Sequence, residues 1–187
     1  MELPDTRFSR YVEGIINRIG ELSSWVWLLL MMVIVSNVVM RYVFGMGRIE
    51  FEEIQWHLYA GGFLLGLSYA YVSDSHVRVD VVRLKLPPKI QAWIELYGTL
   101  LLLLPFIALI LIFAFPFVSY SFATHEISEA PGGLPYRWII KSFMIIGFML
   151  LLAAMLARLS KVWSFLFGWP RAFADHSNTT GSIKENS

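Results

Sequence analysis

The stretch LYGTLLLLLPFIALILIFAFPFVSYSFA, from Leu96 to Ala123, decides the fold class of this chain because it contains no charged residue. About 20 consecutive apolar residues are enough for a helix to cross the ~30 Å hydrocarbon layer of a bilayer. The helical pattern reaches back to Ile90, so at ~1.5 Å per residue this helix would measure roughly 50 Å and exceed the bilayer. Pro105 and Pro116 each remove a backbone donor. The stretch therefore predicts a tilted or broken membrane helix with an interfacial lead-in.

Three other stretches satisfy the same test of length and apolar content. The stretch around residues 22–40 contains no charged residue. The stretch around 54–72 has one ionisable residue, His57, and the stretch around 138–157 has one, Lys141. The sequence thus predicts an all-α membrane protein with four transmembrane helices, in a single membrane domain over residues 1–173. The expected spans are about 22–40, 54–72, 96–123 and 138–157.

Additional amphipathic interfacial helices are expected next to these spans. Over residues 8–21, apolar side chains recur at three- and four-residue steps with charged residues between them, which predicts a helix lying on the membrane surface. After the fourth span, the aromatic residues within 159–169 predict a second interfacial segment. Residues 174–187 are polar, so we expect a disordered cytoplasmic tail there.

The composition excludes several classes of protein. Hydrophobic residues make up 57% of the chain and charged residues 16%, against roughly 25% charged in a soluble domain. The net charge of +1 creates no field that would attract nucleic acid. The chain has no cysteine, which excludes disulfides, cysteine-bound metals and thiol nucleophiles. No motif places a nucleophile beside a base or builds a metal cage, so we expect no enzymatic activity, no cofactor and no metal site.

The distribution of Lys and Arg predicts the orientation in the membrane. Eleven of these residues lie in the N-terminal segment, in the loop around residue 80 and in the C-terminal segment, whereas four lie near the other two loops. Positive residues are retained on the cytoplasmic side. Both termini are therefore expected in the cytoplasm, and the loops around Gly45 and Pro131 are expected on the opposite side.

Three polar residues near the predicted outer membrane edge are candidates for a functional cluster. Asn37 and Arg41 lie four residues apart at the end of the first span, and Glu53 follows across a short GMG turn. An ion pair between Arg41 and Glu53 is one interpretation. The alternative is that Arg41 reaches to the interface by itself, while the acid favours the positive end of the second helix dipole.

The second span carries two further patterns. Glu53 and His57 are four residues apart, a spacing compatible with a metal or proton site, but two ligands are too few for a metal. Gly62, Gly66 and Ala70 follow at four-residue steps, which predicts a face along which another backbone can approach closely. The spacing leaves open whether that backbone belongs to this chain or to another protein.

The loop after the second span alternates valines with His76, Arg78 and Asp80. Period two predicts an extended segment. Asp80 could equally cap a short helix that starts at Val81, and the charges could simply face solvent and lipid headgroups. The loop is a candidate structural element.

The runs NVVMRYVFG (37–45) and EEIQWHLYAGGFLLGLSYAYVSDSHVRVDVV (52–82) resemble the small membrane subunit of tripartite ATP-independent periplasmic (TRAP) transporters, the DctQ-like family. The matching elements are an Asn and an Arg that close the first span, a Glu that opens the second, a Gly within it, and the HVRVD motif after it. The run SEAPGGLPYRWIIKS further resembles the subgroup labelled mannitol or chloroaromatic compound transporters.

The resemblance implies a four-helix scaffold in the bacterial inner membrane, surrounded by the lipid bilayer and bound to a large membrane subunit. That subunit would carry the substrate and sodium sites, and a soluble periplasmic binding protein would deliver an organic solute, in this family commonly a carboxylate. Asn37, Arg41 and Glu53 would form a structural cluster, and the charged loop residues would fix the loop. The rival interpretations are a membrane anchor of a respiratory or redox enzyme complex and an autonomous channel.

Overall fold

The computed structural model describes residues 4–75 and 86–168, and all its regular structure within these ranges is helical. A π-helical turn, Thr99–Leu103, joins the helix Pro88–Gly98 to the helix Leu104–Ala123, so that the two form one continuous rod. The predicted all-α fold is therefore confirmed for the described residues. The α-helices are α1 (Arg7–Tyr42), α2 (Ile49–Val72), α3 (Pro88–Gly98), α4 (Leu104–Ala123) and α5 (Trp138–Phe167).

Three helical stretches in the described part of the chain are long and apolar enough to cross a membrane: α1, the rod formed by α3 and α4, and α5. The second helix, α2, is 24 residues long but is not among them. Its polar and aromatic side chains, among them Gln55, His57 and Tyr69, lower its hydropathy. The spans predicted in the first, third and fourth positions are confirmed by this criterion, and the predicted second span is not.

The first helix runs without a break through both the amphipathic segment and the first predicted span. It begins with a capping box in which Ser9 N donates to Thr6 Oγ1 at 3.1 Å and Thr6 N donates to Ser9 Oγ at 3.0 Å. Ile16, on the amphipathic segment, is buried, and Thr6 Oγ1 lies 3.0 Å from Ser160 Oγ on α5. Residues 8–21 are thus the first part of α1 and not a separate helix; Ile16 is buried there, whereas Phe8, Tyr11 and Ile15 are exposed.

The end of α5 shows the same continuity. The helix extends to Phe167 and stops at Gly168, which adopts the left-handed conformation with φ of 70°. Residues 159–167 of the predicted interfacial segment are thus the last part of α5, Gly168 ends the helix, and Trp169 lies outside the described residues. The predicted tail, 174–187, also lies outside them.

Pro105 does not break the third predicted span. Leu104 N donates to Thr99 O, five residues earlier. The helix thus continues through a wider, π-helical turn directly before the proline. Pro116 is accommodated inside α4. The whole rod from Pro88 to Ala123 contains 36 residues, so at ~1.5 Å per residue it measures about 54 Å and its length exceeds the hydrocarbon layer. The expected length is confirmed, and of the two alternatives, a tilted or a broken helix, the broken one is not seen: a π-helical turn keeps the rod continuous.

The last helix, α5, lies at the centre of the bundle and packs against α1, α2, α3 and α4. It runs antiparallel to α4, since Trp138 contacts Phe122 near one end and Arg158 bonds Glu95 near the other. A large apolar core forms between α4 and α5, and a smaller one forms between α3 and α5. The first core is built on Ile107, Leu111, Phe148, Leu151 and Met155, and the second on Ala92, Leu96 and Val162.

Glycines set the closest helix contacts, but not all of them are those that the sequence indicated. A Cβ atom at Gly147 would lie 2.8 Å from the backbone oxygen of Leu64, so α5 and α2 are nearly in backbone contact there. At Gly62 a Cβ would be 3.4 Å from a side-chain methyl of Val26 on α1, which is an ordinary van der Waals distance. At Gly66 nothing lies within 4 Å. Of the two alternatives at Gly66, an approach from within the described residues is not seen, and an approach by another protein stays a prediction.

Candidate functional site

The ion pairs among the described residues fall into two groups at opposite ends of the bundle. We call one the loop end, where residues 124–137 connect α4 to α5, and the other the terminal end, where α1 begins and α5 finishes. The loop end contains Arg41, Arg48, Glu50, Glu52, Glu126, Arg137 and Lys141. The terminal end contains Asp5, Glu13, Asp74, Glu95, Arg158 and Lys161.

At the loop end, Glu53 holds the loop before α5. Its carboxylate accepts a hydrogen bond from Leu134 N at 2.5 Å and a second, close one from Ser128 Oγ. The loop is folded back on itself, with Ser128 N donating to Leu134 O at 3.3 Å. A Cβ at Gly133 would lie 2.9 Å from Glu53 Oε1, so glycine is needed for the carboxylate to reach its donors. Glu53 thus joins α2 to a loop that is far away in sequence.

The interpretation that pairs Arg41 with Glu53 is not what the structure shows. Arg41 Nη1 lies 3.6 Å from Glu52 Oε1, and both side chains are about half exposed. Adjacent residues on a helix point about 100° apart, and here Glu52 reaches α1 while Glu53 reaches the loop. Asn37 is buried on α1, one turn before Arg41. The acid of the expected cluster is therefore engaged with the loop rather than with the arginine.

A second carboxylate, Glu126, fixes the other side of the same loop. It accepts a close hydrogen bond from Lys141 Nζ and lies 3.9 Å from Arg137 Nε. The hydrogen bond from Lys141 is the largest cause that holds the pKa of Glu126 below its usual value. Lys141 Nζ also lies 4.0 Å above the ring of Phe117 on α4. The single lysine of the fourth predicted span is therefore paired with an acidic residue of the loop.

His57 is engaged within its own helix, because its Nδ1 lies 2.6 Å from the carbonyl oxygen of Glu53. The spacing of Glu53 and His57 therefore reflects a side-chain contact to the backbone. No group of three potential metal ligands occurs within residues 4–75 and 86–168.

At the terminal end, two cations join four elements of the chain. Arg158 on α5 donates a close hydrogen bond to Glu95 on α3, and its Nη1 lies 3.2 Å from Asp74 after α2. Lys161 Nζ lies 2.7 Å from Glu13 on α1 and 2.8 Å from Asp5. Both cationic side chains are only 15% exposed. These two residues hold the helix ends together.

Arg158 and Lys161 are among the Lys and Arg residues of the C-terminal segment, which were used in the sequence analysis only to predict orientation. Their spacing of three residues places them on neighbouring parts of one helix face, and this was a signal that they act together. Their partners could not be read from the sequence, since they depend on how α1 and α3 align with α5. The loop candidates His76, Arg78 and Asp80 lie outside the described residues.

The arrangement suits a structural membrane component. Charges cluster at the two ends of the bundle, while the sequence between Leu22 and Met40, for example, carries none. Charged groups are costly inside a hydrocarbon layer, and in the described residues the cations Arg41, Arg137, Lys141, Arg158 and Lys161 are each paired with an acid. The described part of the chain thus shows how the helices are held together.

Comparisons with known proteins assign the family. The family model described as "Tripartite ATP-independent periplasmic transporters, DctQ component" matches residues 30–165. The chain is also 26% identical, over 137 residues, to the sialic acid TRAP transporter permease protein SiaT of Haemophilus influenzae (strain 86-028NP). The aligned region covers 73% of this chain but only 22% of that relative. The match does not favour a respiratory or redox-enzyme anchor. The chain belongs to the DctQ family, the small membrane component of TRAP transporters.

Proposed function

We propose that this chain is the transmembrane scaffold subunit of a TRAP-type secondary transporter. It supports a large membrane subunit that takes up an organic solute, with a carboxylate as the expected class, driven by a sodium gradient. A periplasmic binding protein delivers the solute. The observation that carries the proposal is the placement of the described ion pairs at the two ends of an otherwise apolar bundle, within a chain of the DctQ family.

The large subunit is proposed from the coverage of the relative. Only 22% of the sialic acid permease aligns with this chain. We infer that the remainder of that protein corresponds to a separate companion of this chain. The exposed apolar side chains along α1 and α4, such as Trp25 and Phe113, then face either lipid or this companion.

We further propose that the chain lies in the bacterial inner membrane and crosses it four times, with α2 as the second span. Both termini would then lie in the cytoplasm. The antiparallel packing of α2 beside α1 supports this topology, since Gly62 lies against Val26 while Gly20 lies against Tyr69. The HVRVD loop, with His76, Arg78 and Asp80, would then fix the cytoplasmic connection. Asn37, Arg41 and Glu53 would be structural groups on the periplasmic side.

The topology can be tested by cysteine labelling, because the natural chain has no cysteine. Ser128→Cys in the loop should react with an impermeant thiol reagent in cells whose outer membrane has been permeabilised. Ser182→Cys in the C-terminal segment should react only after lysis. The reverse labelling would contradict the topology.

The solute subgroup is a separate part of the proposal. The run SEAPGGLPYRWIIKS supports the mannitol or chloroaromatic subgroup, whereas the relative found is a sialic acid permease. Uptake assays with different solutes decide this point, because the binding protein selects the solute.

Co-purification tests the proposed role directly. An affinity tag on this chain, solubilised in a mild detergent from its native membrane, should retain a larger multi-span membrane protein, identified by mass spectrometry. An unrelated tagged membrane protein of similar size is the control. Retention of a redox enzyme in place of a transporter subunit would contradict the proposal.

A further inference from the structure

We propose that the cavity between α1, α2 and α5 holds one acyl chain of a membrane phospholipid. The cavity has a volume of about 270 Å³ and lies towards the loop end of the bundle. For comparison, a cavity of about 150 Å³ is enough to bind benzene. Its walls include Val26, His57, Leu58, Gly61 and Phe143 from the three helices and Leu134 from the loop.

The chemistry of the walls excludes a polar ligand. His57 is the only wall residue with a polar side chain, and its Nδ1 is engaged with the carbonyl oxygen of Glu53 at 2.6 Å. A polar solute that entered would lose its hydrogen bonds to water without replacement. A hydrocarbon chain loses nothing by the same transfer.

The length of helix that borders the cavity favours a chain over a compact molecule. Its walls follow α2 from Ile54 to Leu65, a distance of about 16 Å at ~1.5 Å per residue. Half of the ~30 Å hydrocarbon layer is about 15 Å thick. The cavity therefore matches the depth that one acyl chain occupies in one leaflet, on the side of the loop end.

Two adjacent glycines help to keep this space open. A Cβ at Gly61 would lie 3.6 Å from the ring of Phe143, and a Cβ at Gly62 would lie 3.4 Å from Val26. A larger side chain at Gly61 has to extend past this contact into the space between the helices. Leu134 borders the cavity near the loop, and its backbone is held by Glu53. The hydrogen bond from Leu134 N to Glu53 thus holds the loop and also positions one wall of the cavity.

Native mass spectrometry of the full chain tests the proposal. The probe is phosphatidylethanolamine with dibrominated acyl chains, added to delipidated protein in detergent, and its mass identifies any retained molecule. We expect the natural chain to retain one probe molecule at collision energies that remove loosely bound lipid. Gly61→Leu should lose it, whereas Gly66→Leu on the same helix, where nothing lies within 4 Å of a Cβ, should keep it.

A second variant separates loss of the lipid from loss of folding. Leu58→Trp fills the cavity from another position, and both filling variants are checked by circular dichroism and gel filtration. Retention of the probe by folded Gly61→Leu and Leu58→Trp would overturn the proposal, as would the absence of retained lipid on the natural chain.

Cross-linking in native membranes identifies the natural occupant. A photoreactive leucine analogue at position 58 should form an adduct with phospholipid. An adduct with another protein instead would show that a side chain of a partner fills the cavity, and it would overturn the lipid assignment without affecting the proposed scaffold role.

Discussion

The carboxylate of Glu53, near the start of α2, accepts a hydrogen bond of 2.5 Å from the backbone N–H of Leu134, in the loop before α5. Ser128 Oγ donates to the same carboxylate. A single acidic side chain thereby satisfies donors on both sides of the turn at 130–133. The loop conformation at this end of the bundle therefore depends on a residue of a different helix.

Removing that carboxylate should release the loop. We expect Glu53→Ala to make the Leu134 amide exchange with solvent deuterium about tenfold faster, the consequence of losing a hydrogen bond to a charged group worth about 1.5 kcal/mol. Hydrogen exchange followed by mass spectrometry measures this. Glu52→Ala is the matched control, because Glu52 contacts only the half-exposed Arg41 among the ion pairs described. Equal exchange in both variants would contradict the role given to Glu53.

The two ion pairs Arg158–Glu95 and Arg48–Glu50 should differ in strength. In the first, the side chains are 15% and 14% exposed, and loss of one partner leaves a charge that costs about 3 kcal/mol or more. The second pair is exposed, and its contribution should be at most about 1 kcal/mol. Double-mutant cycles on the free energy of unfolding, measured by SDS titration in mixed micelles, compare them. Additive effects of Arg158→Ala and Glu95→Ala would contradict the burial argument.

Two glycines on neighbouring helices should respond in opposite directions to alanine. Gly147→Ala places a methyl group against the backbone of Leu64, and such overpacking should destabilise the bundle by about 1 to 3 kcal/mol. Gly66→Ala adds a methyl group in open space and should stabilise α2 by roughly 0.5 to 1 kcal/mol through backbone entropy. The same SDS titration measures both. A destabilised Gly66→Ala chain would show an unrecognised contact on that face.

Protonation of Glu126 at low pH should destabilise the loop at residues 124–137. Because Lys141 holds the pKa of Glu126 below its usual value, the carboxylate contributes stability at neutral pH. That contribution is lost as the pH falls from about 4.3 through the lowered pKa. The protection factors of the amides within 124–137, which correct for the intrinsic pH dependence of exchange, should fall over this range. Glu126→Gln should remove this part of the pH dependence, and an unchanged profile in that variant would contradict the assignment.

Length and apolar content were sufficient to place most of the helices. The bounds of α1, of the rod over α3 and α4, and of α5 include the stretches predicted as spans. Continuity between spans and amphipathic segments could not be predicted, because 8–21 has the same periodicity whether it lies on a membrane or packs against α5. Pro105 illustrates the same limit. The sequence shows that a backbone donor is missing there, but it does not show the π-helical turn that precedes the proline.

The candidate site was predicted in part. The acid at the start of α2 was identified, but its partners were not, because Ser128 and Leu134 approach it only after α5 packs parallel to α2. The choice between Glu52 and Glu53 as the partner of Arg41 depends on helix rotation, which one sequence does not specify. The terminal-end pairs of Arg158 and Lys161 depend on the same tertiary alignment.

Reconstitution of solute uptake tests the central claim most directly. Proteoliposomes that contain this chain alone, under an inward sodium gradient, should accumulate no labelled solute. Addition of the large membrane subunit to the liposomes, together with the solute-loaded binding protein outside, should give uptake, and omission of this chain should abolish it. Uptake by this chain alone would contradict the scaffold role and would indicate an autonomous carrier or channel.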